Sequence, residues 1–317
     1  MHQEPTIDVR VIGIIDETSR VKRFLLEGVS EELPAFSPGS HIITYVGDHN
    51  ETFERRYSLT TYSHQGNVYE IVIQKNTSST GGSIYWHDQV KVGKTLKISY
   101  PKKYFPLSFR AKKHIFYAGG IGITPFLSMM EYLKEKNIPF ELHYTSKSKD
   151  DCPFYDEIHE KYIRETTFYF TKEKQERLHV EHLLEHRIGT HVYFCGPSQM
   201  VDAFASFAVK LGYPKGSLHY ERFVMNTISD AKAFTVCVKD KQIYVPKTKS
   251  LLETLQENGN NVQSSCKIGR CGTCEVKVTE GEVEHLDAFY TEEEKGRNDV
   301  MLTCVSRAKS DRLRIDI

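Results

Sequence analysis

A single tryptophan, no excess charge of either sign and no unbroken apolar run of membrane-spanning length mark this chain of 317 residues. The 42 basic and 42 acidic side chains cancel, so no overall field draws the protein to nucleic acid or to an anionic membrane. Neither is expected as a partner. The longest apolar stretch, Ile115 to Met130, is interrupted by Gly119, Gly120, Gly122 and Pro125 and falls short of the ~20 residues that cross a bilayer. The opening MHQEPTIDVR lacks a basic start, an apolar centre and a small-residue cleavage site, so no secretory signal is expected and the cytoplasm is the expected location. With 39% hydrophobic and 26% charged residues the composition is neither disordered nor fibrous. At roughly 150 residues per domain, two domains fit the length, and three small ones also fit.

Periodicity divides the chain. From Ile7 to about Pro106, short β-branched runs (IDVRVIGIID, KRFLLEGV, SHIITYV, YEIVIQK) are separated by Gly, Pro, Ser and Asn, which predicts a small antiparallel β-barrel over 1–107. From His114 apolar strands (HIFYAG, FELHYTS, THVYFCG) alternate with helical stretches such as PFLSMMEYLKEK. That alternation predicts an α/β domain with a parallel sheet over 108–225. The polar segment NTISDAKA reads as a linker, placed at 226–232, and fresh strands (AFTVCVKD, KQIYVP) open a compact α+β domain over 233–317. The expected fold class is therefore multidomain.

Seven cysteines in a reducing compartment argue against a disulfide framework, and four of them crowd the last fifth of the chain. Cys266, Cys271 and Cys274 are spaced C-x4-C-x2-C, with Cys304 following after a gap of 29 residues. This is the plant-type [2Fe–2S] pattern, in which glycines such as Gly269 and Gly272 let the backbone close around the inorganic core. A structural zinc site is the alternative, but it ordinarily pairs cysteines as two C-x2-C units, and the second is missing. Cys152 and Cys237 have no such context and read as packing residues.

Two further motifs suit phosphates. Arg55-Arg56-Tyr57-Ser58 resembles the R-x-Y-S motif of ferredoxin reductase-like flavoproteins, and the resemblance implies an arginine that clamps a phosphate, a ring laid along the isoalloxazine and a hydroxyl near the flavin N5. An exposed arginine on a surface strand is the plain alternative. Thr80-Gly81-Gly82-Ser83 precedes an expected helix, and its glycines and helix-start N–H groups can cradle a phosphate; a simple turn and cap would look the same. The strand Ile115 to Ala118 runs into Gly119-Gly120-Ile121-Gly122-Ile123-Thr124-Pro125, with Thr124 the expected N-cap and Pro125 in the first helical turn. A second strand ends at Cys195-Gly196-Pro197 and again opens a helix, although Cys195 could equally be an ordinary core residue. His179, His182 and His186 fall on one side of an expected helix and read as a solvated face rather than a metal site.

The stretch SSCKIGRCGTCEVKV…MLTCV is similar to a plant-type ferredoxin module. Together with R-x-Y-S and GGIGITP, the whole chain resembles the phthalate dioxygenase reductase family, the electron-supplying components of Rieske-type oxygenases. The resemblance implies a β-grasp fold for the ferredoxin domain, and FMN rather than FAD from the order flavin, nicotinamide, ferredoxin. It also favours NADH over NADPH, a choice that the mixed charges of Lys147, Lys149, Asp150 and Asp151 leave open by themselves. It further places the backbone around Ile73 and Lys75, and the ring of Phe223, at the flavin, and Cys195 beside the nicotinamide. Cys195, Ser58 and Thr124 are then the residues of the transfer itself. A monomer that passes single electrons to a Rieske-type terminal oxygenase is the implied whole. The alternatives are a reductase for a diiron hydroxylase or separate carrier, a non-enzymatic iron–sulfur sensor, and a zinc-stabilised interaction module.

Overall fold

A computed structural model of the chain describes residues 5–47, 52–62, 67–77, 81–173, 177–186, 188–223, 232–265, 269, 271–287, 289–290 and 292–317. The chain divides into two compact units, Met1–Met225 and Asn226–Ile317. The expected linker lies largely outside the described residues.

The first unit opens with β1 (Thr6–Thr18), β2 (Val21–Gly28), β3 (His41–Gly47), β4 (Thr52–Ser58), β5 (Val68–Gln74) and β6 (Thr95–Ser99), joined antiparallel in the order β4-β3-β6-β1-β2-β5. The sheet closes on itself through a bridge between Leu59 and Ile71 and the bond from Thr60 N–H to the Glu70 carbonyl, 3.2 Å. Alternation explains the core: Ile7, Val9 and Val11 on β1 point inward and are fully buried. Helix α1 (Gly82–Asp88) sets Trp86 edge-on against Phe24, with ring centroids 4.8 Å apart.

The same unit continues with β7 (Lys113–Gly119), α2 (Thr124–Glu135), β8 (Phe140–Ser146), α3 (Tyr155–Tyr162), β9 (Thr166–Phe170), β10 (Thr190–Gly196), α4 (Ser198–Lys210) and β11 (Leu218–Arg222). The strands are all parallel, in the order β11-β10-β7-β8-β9. The order reverses between β7 and β10, and the crevice at their carboxyl ends is where ligands of such sheets bind. Phe126, Met129, Met130 and Leu133 of α2 bury against Phe116 and Leu142 of the sheet. That cluster also takes in Val21 and Val72 from the barrel, so apolar packing already holds the two layers together.

The second unit comprises β12 (Phe234–Val238), β13 (Lys241–Val245), α5 (Leu251–Glu257), β14 (Glu275–Glu280), β15 (Val283–Glu284), α6 (Glu292–Arg297), β16 (Val300–Leu302), β17 (Arg307–Ala308) and β18 (Arg312–Asp316). Its main sheet runs β13-β12-β18-β14-β16, with only β12 and β18 parallel, and α5 buries Leu251, Leu252 and Leu255 against it. This is the expected β-grasp arrangement. Cys152 and Cys237 are both buried, as expected of packing residues.

Two expectations are corrected. Thr124 is not the N-cap of α2, because a 3-10 turn over Gly120–Ile123 precedes the helix and makes Ile123 the cap. The Thr124 hydroxyl donates back to the Ile121 carbonyl, 3.1 Å. The histidine stretch forms a 3-10 turn over Val180–Glu185 rather than a solvated helix face. His186 Nε2 lies 2.7 Å from the Tyr117 hydroxyl, and His182 packs beside His143. No helix among the described residues is long and apolar enough to cross a membrane.

Candidate functional site

The barrel site begins with β4, whose pairing to β3 sets Arg55 opposite Thr44. The Thr44 hydroxyl donates to the Arg55 carbonyl at 3.2 Å, and Arg55 Nη1 donates to the Glu54 carbonyl at 2.8 Å. The Arg55 side chain then crosses the start of α1, so a Cβ on Gly82 would stand 2.7 Å from Nε. Gly81 sits at φ +102°, where a side chain would also meet the Phe53 ring at 2.8 Å. The two glycines thus let the Arg55 guanidinium and the Phe53 ring close directly onto the helix start, and a guanidinium beside helix-start N–H groups suits a phosphate. Arg56 is used differently, pairing with Glu54 at 3.2 Å.

Tyr57 packs edge-on to Trp86 at 6.1 Å, and burial pushes its hydroxyl well above the usual range while the Arg55 charge pulls the other way. Ser58 is buried at the end of β4, opposite His41. The Ser83 hydroxyl accepts from Asn76 N–H, 3.1 Å. Ile73 and Lys75 fasten β5 to α1: His87 Nε2 donates to the Ile73 carbonyl at 2.8 Å, and Lys75 Nζ meets Asp88 at 2.6 Å. Thr80 lies outside the described residues.

At the switch point backbone meets backbone. A Cβ on Gly122 would overlap the Cys195 carbonyl, one on Gly119 would stand 2.7 Å from Pro197 Cδ, and one on Gly196 would stand 3.0 Å from the Gly119 backbone. Glycine is required at these positions by close approach. The structure thus brings Gly119, Gly122, Thr124 and Pro125 together with Cys195, Gly196 and Pro197. Gly120 bulges outward at φ +52° with open space around it. Cys195 is fully buried with Ile123 and Phe126, and Phe223 packs on the same cluster. Beyond β8 the charges pair locally: Asp151 takes Lys172 at 3.1 Å and the Ser148 hydroxyl at 2.8 Å, and Lys149 stands 3.6 Å from Asp156.

In the second unit, Thr303 binds the two cysteine-bearing segments together, its N–H and hydroxyl both donating to the Cys274 carbonyl at 3.2 and 3.0 Å. A hydrogen bond from Cys304 holds the Cys274 thiol down at about 6 against the opposing effect of burial, which suits a thiolate ligand. Cys271 Sγ lies 3.1 Å from the Thr273 hydroxyl. Gly269 and Gly272 hold φ of +71° and +76°, and a Cβ on Gly272 would meet the Phe289 ring at 2.6 Å. Thiol donors on a loop of left-handed glycines fit an iron–sulfur cluster. Cys266 lies outside the described residues.

One residue of this site carries no sequence signal. Asp287, whose side chain is 0% exposed, lies directly under Gly269 and accepts from Phe289 N–H (3.2 Å), Tyr290 N–H (3.0 Å) and the Ser306 hydroxyl (3.2 Å). His285 Nδ1 stands 3.1 Å from the same carboxylate. Asp287 therefore ties the cysteine loop to the chain just after Cys304.

Residues 116–206 match the oxidoreductase NAD-binding domain family, and residues 234–309 match the 2Fe-2S iron-sulfur cluster binding domain family. The carnitine monooxygenase reductase subunit of Escherichia coli is 37% identical over 314 residues, covering 98% of each chain. The vanillate O-demethylase oxidoreductase of Acinetobacter baylyi is 34% identical over 317 residues, covering 98% of this chain and 99% of that one. Among solved structures, phthalate dioxygenase reductase, described as modular for electron transfer from pyridine nucleotides to [2Fe–2S], superposes with a TM-score of 0.79 at 29% identity over 98% of both chains. Site geometry and likeness along the full length agree, and the chain belongs to the phthalate dioxygenase reductase family, the reductase components of oxygenase systems that move electrons from pyridine nucleotide to a [2Fe–2S] cluster.

Proposed function

We propose that this chain takes hydride from NADH onto FMN and passes single electrons through its cluster to a Rieske-type terminal oxygenase. The observation that carries the reading is the presence on one chain of a phosphate cradle, Arg55 laid across Gly82, and a thiol set, with Cys274 hydrogen-bonded rather than disulfide-linked to Cys304. Flavin held at these residues would supply the conversion between a two-electron hydride and the single electrons that a [2Fe–2S] cluster takes.

The chain's own residues bind and orient. Arg55 and the N–H groups at Gly81, Gly82 and Ser83 hold the flavin phosphate; Tyr57, Ser58, Phe223 and the backbone at Ile73 and Lys75 border its ring, and Arg56 braces Glu54. Gly119, Gly120, Gly122, Thr124 and Pro125 receive the dinucleotide, with Cys195, Gly196 and Pro197 excluding water from the nicotinamide. Cys266, Cys271, Cys274 and Cys304 ligate the irons. The functional domains are 1–107 for flavin, 108–225 for nicotinamide and 233–317 for the cluster, with 226–232 between them. The protein works as a cytoplasmic monomer.

Denaturing the holoprotein and chromatographing the released flavin tests the cofactor: FMN is expected, and FAD as the sole product overturns the assignment. Stopped-flow reduction should favour NADH over NADPH. Rieske oxygenase turnover in a reconstituted mixture tests the partner, and sedimentation equilibrium tests the monomer.

A further inference from the structure

A charged knot joins the barrel to the nicotinamide layer. Glu17 is the penultimate residue of β1, and Arg23 lies in β2, with its Nε 2.5 Å from Glu17 Oε2. The guanidinium then reaches out of the barrel, placing Nη1 3.0 Å from Glu157 Oε2 in the first turn of α3 and 3.8 Å from Glu70 of β5. Its carbon stands 3.9 Å from the centre of the Phe154 ring. With side-chain exposures of 17%, 11% and 9% for Arg23, Glu17 and Glu70, solvent screens the group weakly.

Phe154 is the point of attachment. It caps α3 at φ +60°, a left-handed conformation that is unusual for a bulky residue and survives only when its surroundings fix it. Its side chain offers α3 no cap, and its N–H is taken by the barrel's Glu17 Oε1 at 2.6 Å. One residue earlier, the Pro153 carbonyl accepts from the Tyr144 hydroxyl at 3.0 Å, and the same hydroxyl also reaches the Gly120 carbonyl at 3.0 Å. Tyr144 is fully buried, and its hydroxyl meets the Cys152 thiol as well as those two carbonyls, so its single proton is shared among them. Gly120 belongs to the glycine turn after β7. A continuous polar chain therefore runs from Arg23 and Glu17 through Phe154, Pro153 and Tyr144 to the turn at the switch point.

Cohesion does not require this chain, since Val21 and Val72 already share an apolar cluster with Phe126 and Met130. Buried ion pairs are in any case weak contributors to net stability. Apolar contact is non-directional, whereas these bonds fix a register. We propose that Glu17 and Arg23 are positioning residues for hydride transfer, holding the glycine turn in register with the barrel. The inference rests on the flavin and nicotinamide placements proposed above.

The test uses the full-length chain carrying flavin and cluster, mixed anaerobically with NADH. Arg23→Gln and Glu17→Ala should keep flavin content and cluster absorbance while the limiting rate of flavin reduction falls roughly tenfold or more, the scale on which sub-ångström misplacement acts. The apparent NADH dissociation constant should move less than about threefold, separating positioning from binding. The long-wavelength charge-transfer absorbance that reports stacking of NADH on flavin should weaken in step. Combining both changes should cost little more than either alone, because they break one linkage. Tyr144→Phe removes a single hydroxyl and should slow reduction in the same direction, which keeps the proposal testable should the charge variants fail to fold. Wild-type limiting rates with an intact charge-transfer band, in the charge variants or in Tyr144→Phe, overturn it. A Gly122→Ala variant that still reduces its flavin at the wild-type rate would instead overturn the placement of NADH itself.

Discussion

Side chains of this protein divide into those whose roles follow from local spacing and those whose roles need the folded chain. Cys266, Cys271, Cys274 and Cys304 announce themselves because a cluster demands fixed short separations. Arg55 and Gly82 belong to separate motifs, and only the fold lays one across the other. Replacing Arg55 by alanine removes a charge-assisted partner worth roughly 1.5–3 kcal/mol. Flavin loss on dialysis, followed by fluorescence of the released cofactor, should rise accordingly, and full retention would return Arg55 to an ordinary strand position. Cys195→Ala tests a subtler claim, since the residue is wholly buried with Ile123 and Phe126. Flavin and cluster should stay in place while stopped-flow flavin reduction by NADH slows; an unchanged rate would make Cys195 a packing residue. Glu17 and Phe154, 137 positions apart, carried no signal at all, because nothing in either local sequence names the other.

Strands proved more legible than helix starts. Period-2 burial at the start of β1 and the apolar run Ile115 to Ala118 of β7 are written directly in the residues, as antiparallel and parallel sheets demand. The start of α2 was misread because Thr124-Pro125 has the composition of a cap, yet the glycines before it wind into a 3-10 turn that moves the cap to Ile123. At α5 composition and geometry agree: the Ser250 hydroxyl accepts from Glu253 N–H at 3.1 Å, and Glu253 returns the bond to Ser250 N–H at 2.8 Å. Ser250→Ala should therefore destabilise the second unit by about 1 kcal/mol in urea unfolding.

Histidines on the parallel strands supply a pH effect as well. Burial, followed by neighbouring histidines, depresses His114 on β7 and His219 on β11 to about 4, and His143 on β8 likewise. His191 on β10 is lowered by burial and lies 2.9 Å from His219. The unfolded chain takes up these protons near pH 6.5, whereas the folded chain resists until about 4. Stability is thus fully present above pH 6.5 and lost as the pH falls toward 4. Urea midpoints of the first unit measured across that window should decline steadily, and a flat profile would mean that the three imidazoles are not held neutral.

On the scale of the whole molecule, the chain divides at Met225/Asn226, and on the reading proposed above the first unit holds NADH and flavin while the second is the outlet. A chain ending at Met225 should lack cluster absorbance yet still reduce ferricyanide with NADH, because that acceptor draws on flavin directly. Reduction of cytochrome c or of the oxygenase should collapse. Oxygenase reduction at the full rate by the shortened chain would rule out the cluster as the exit.

The glycine contacts at the switch point also bear on how this enzyme can change over generations. Gly119, Gly122 and Gly196 have backbone or proline atoms where any side chain would go, so a saturation library should return almost no tolerated substitution at these three positions. The segment after β8 is different, with Lys147, Lys149 and Asp150 exposed. On the proposed placement of NADH, selection for a different nucleotide would act there, rewriting exposed charges while the close-packed glycines stay frozen.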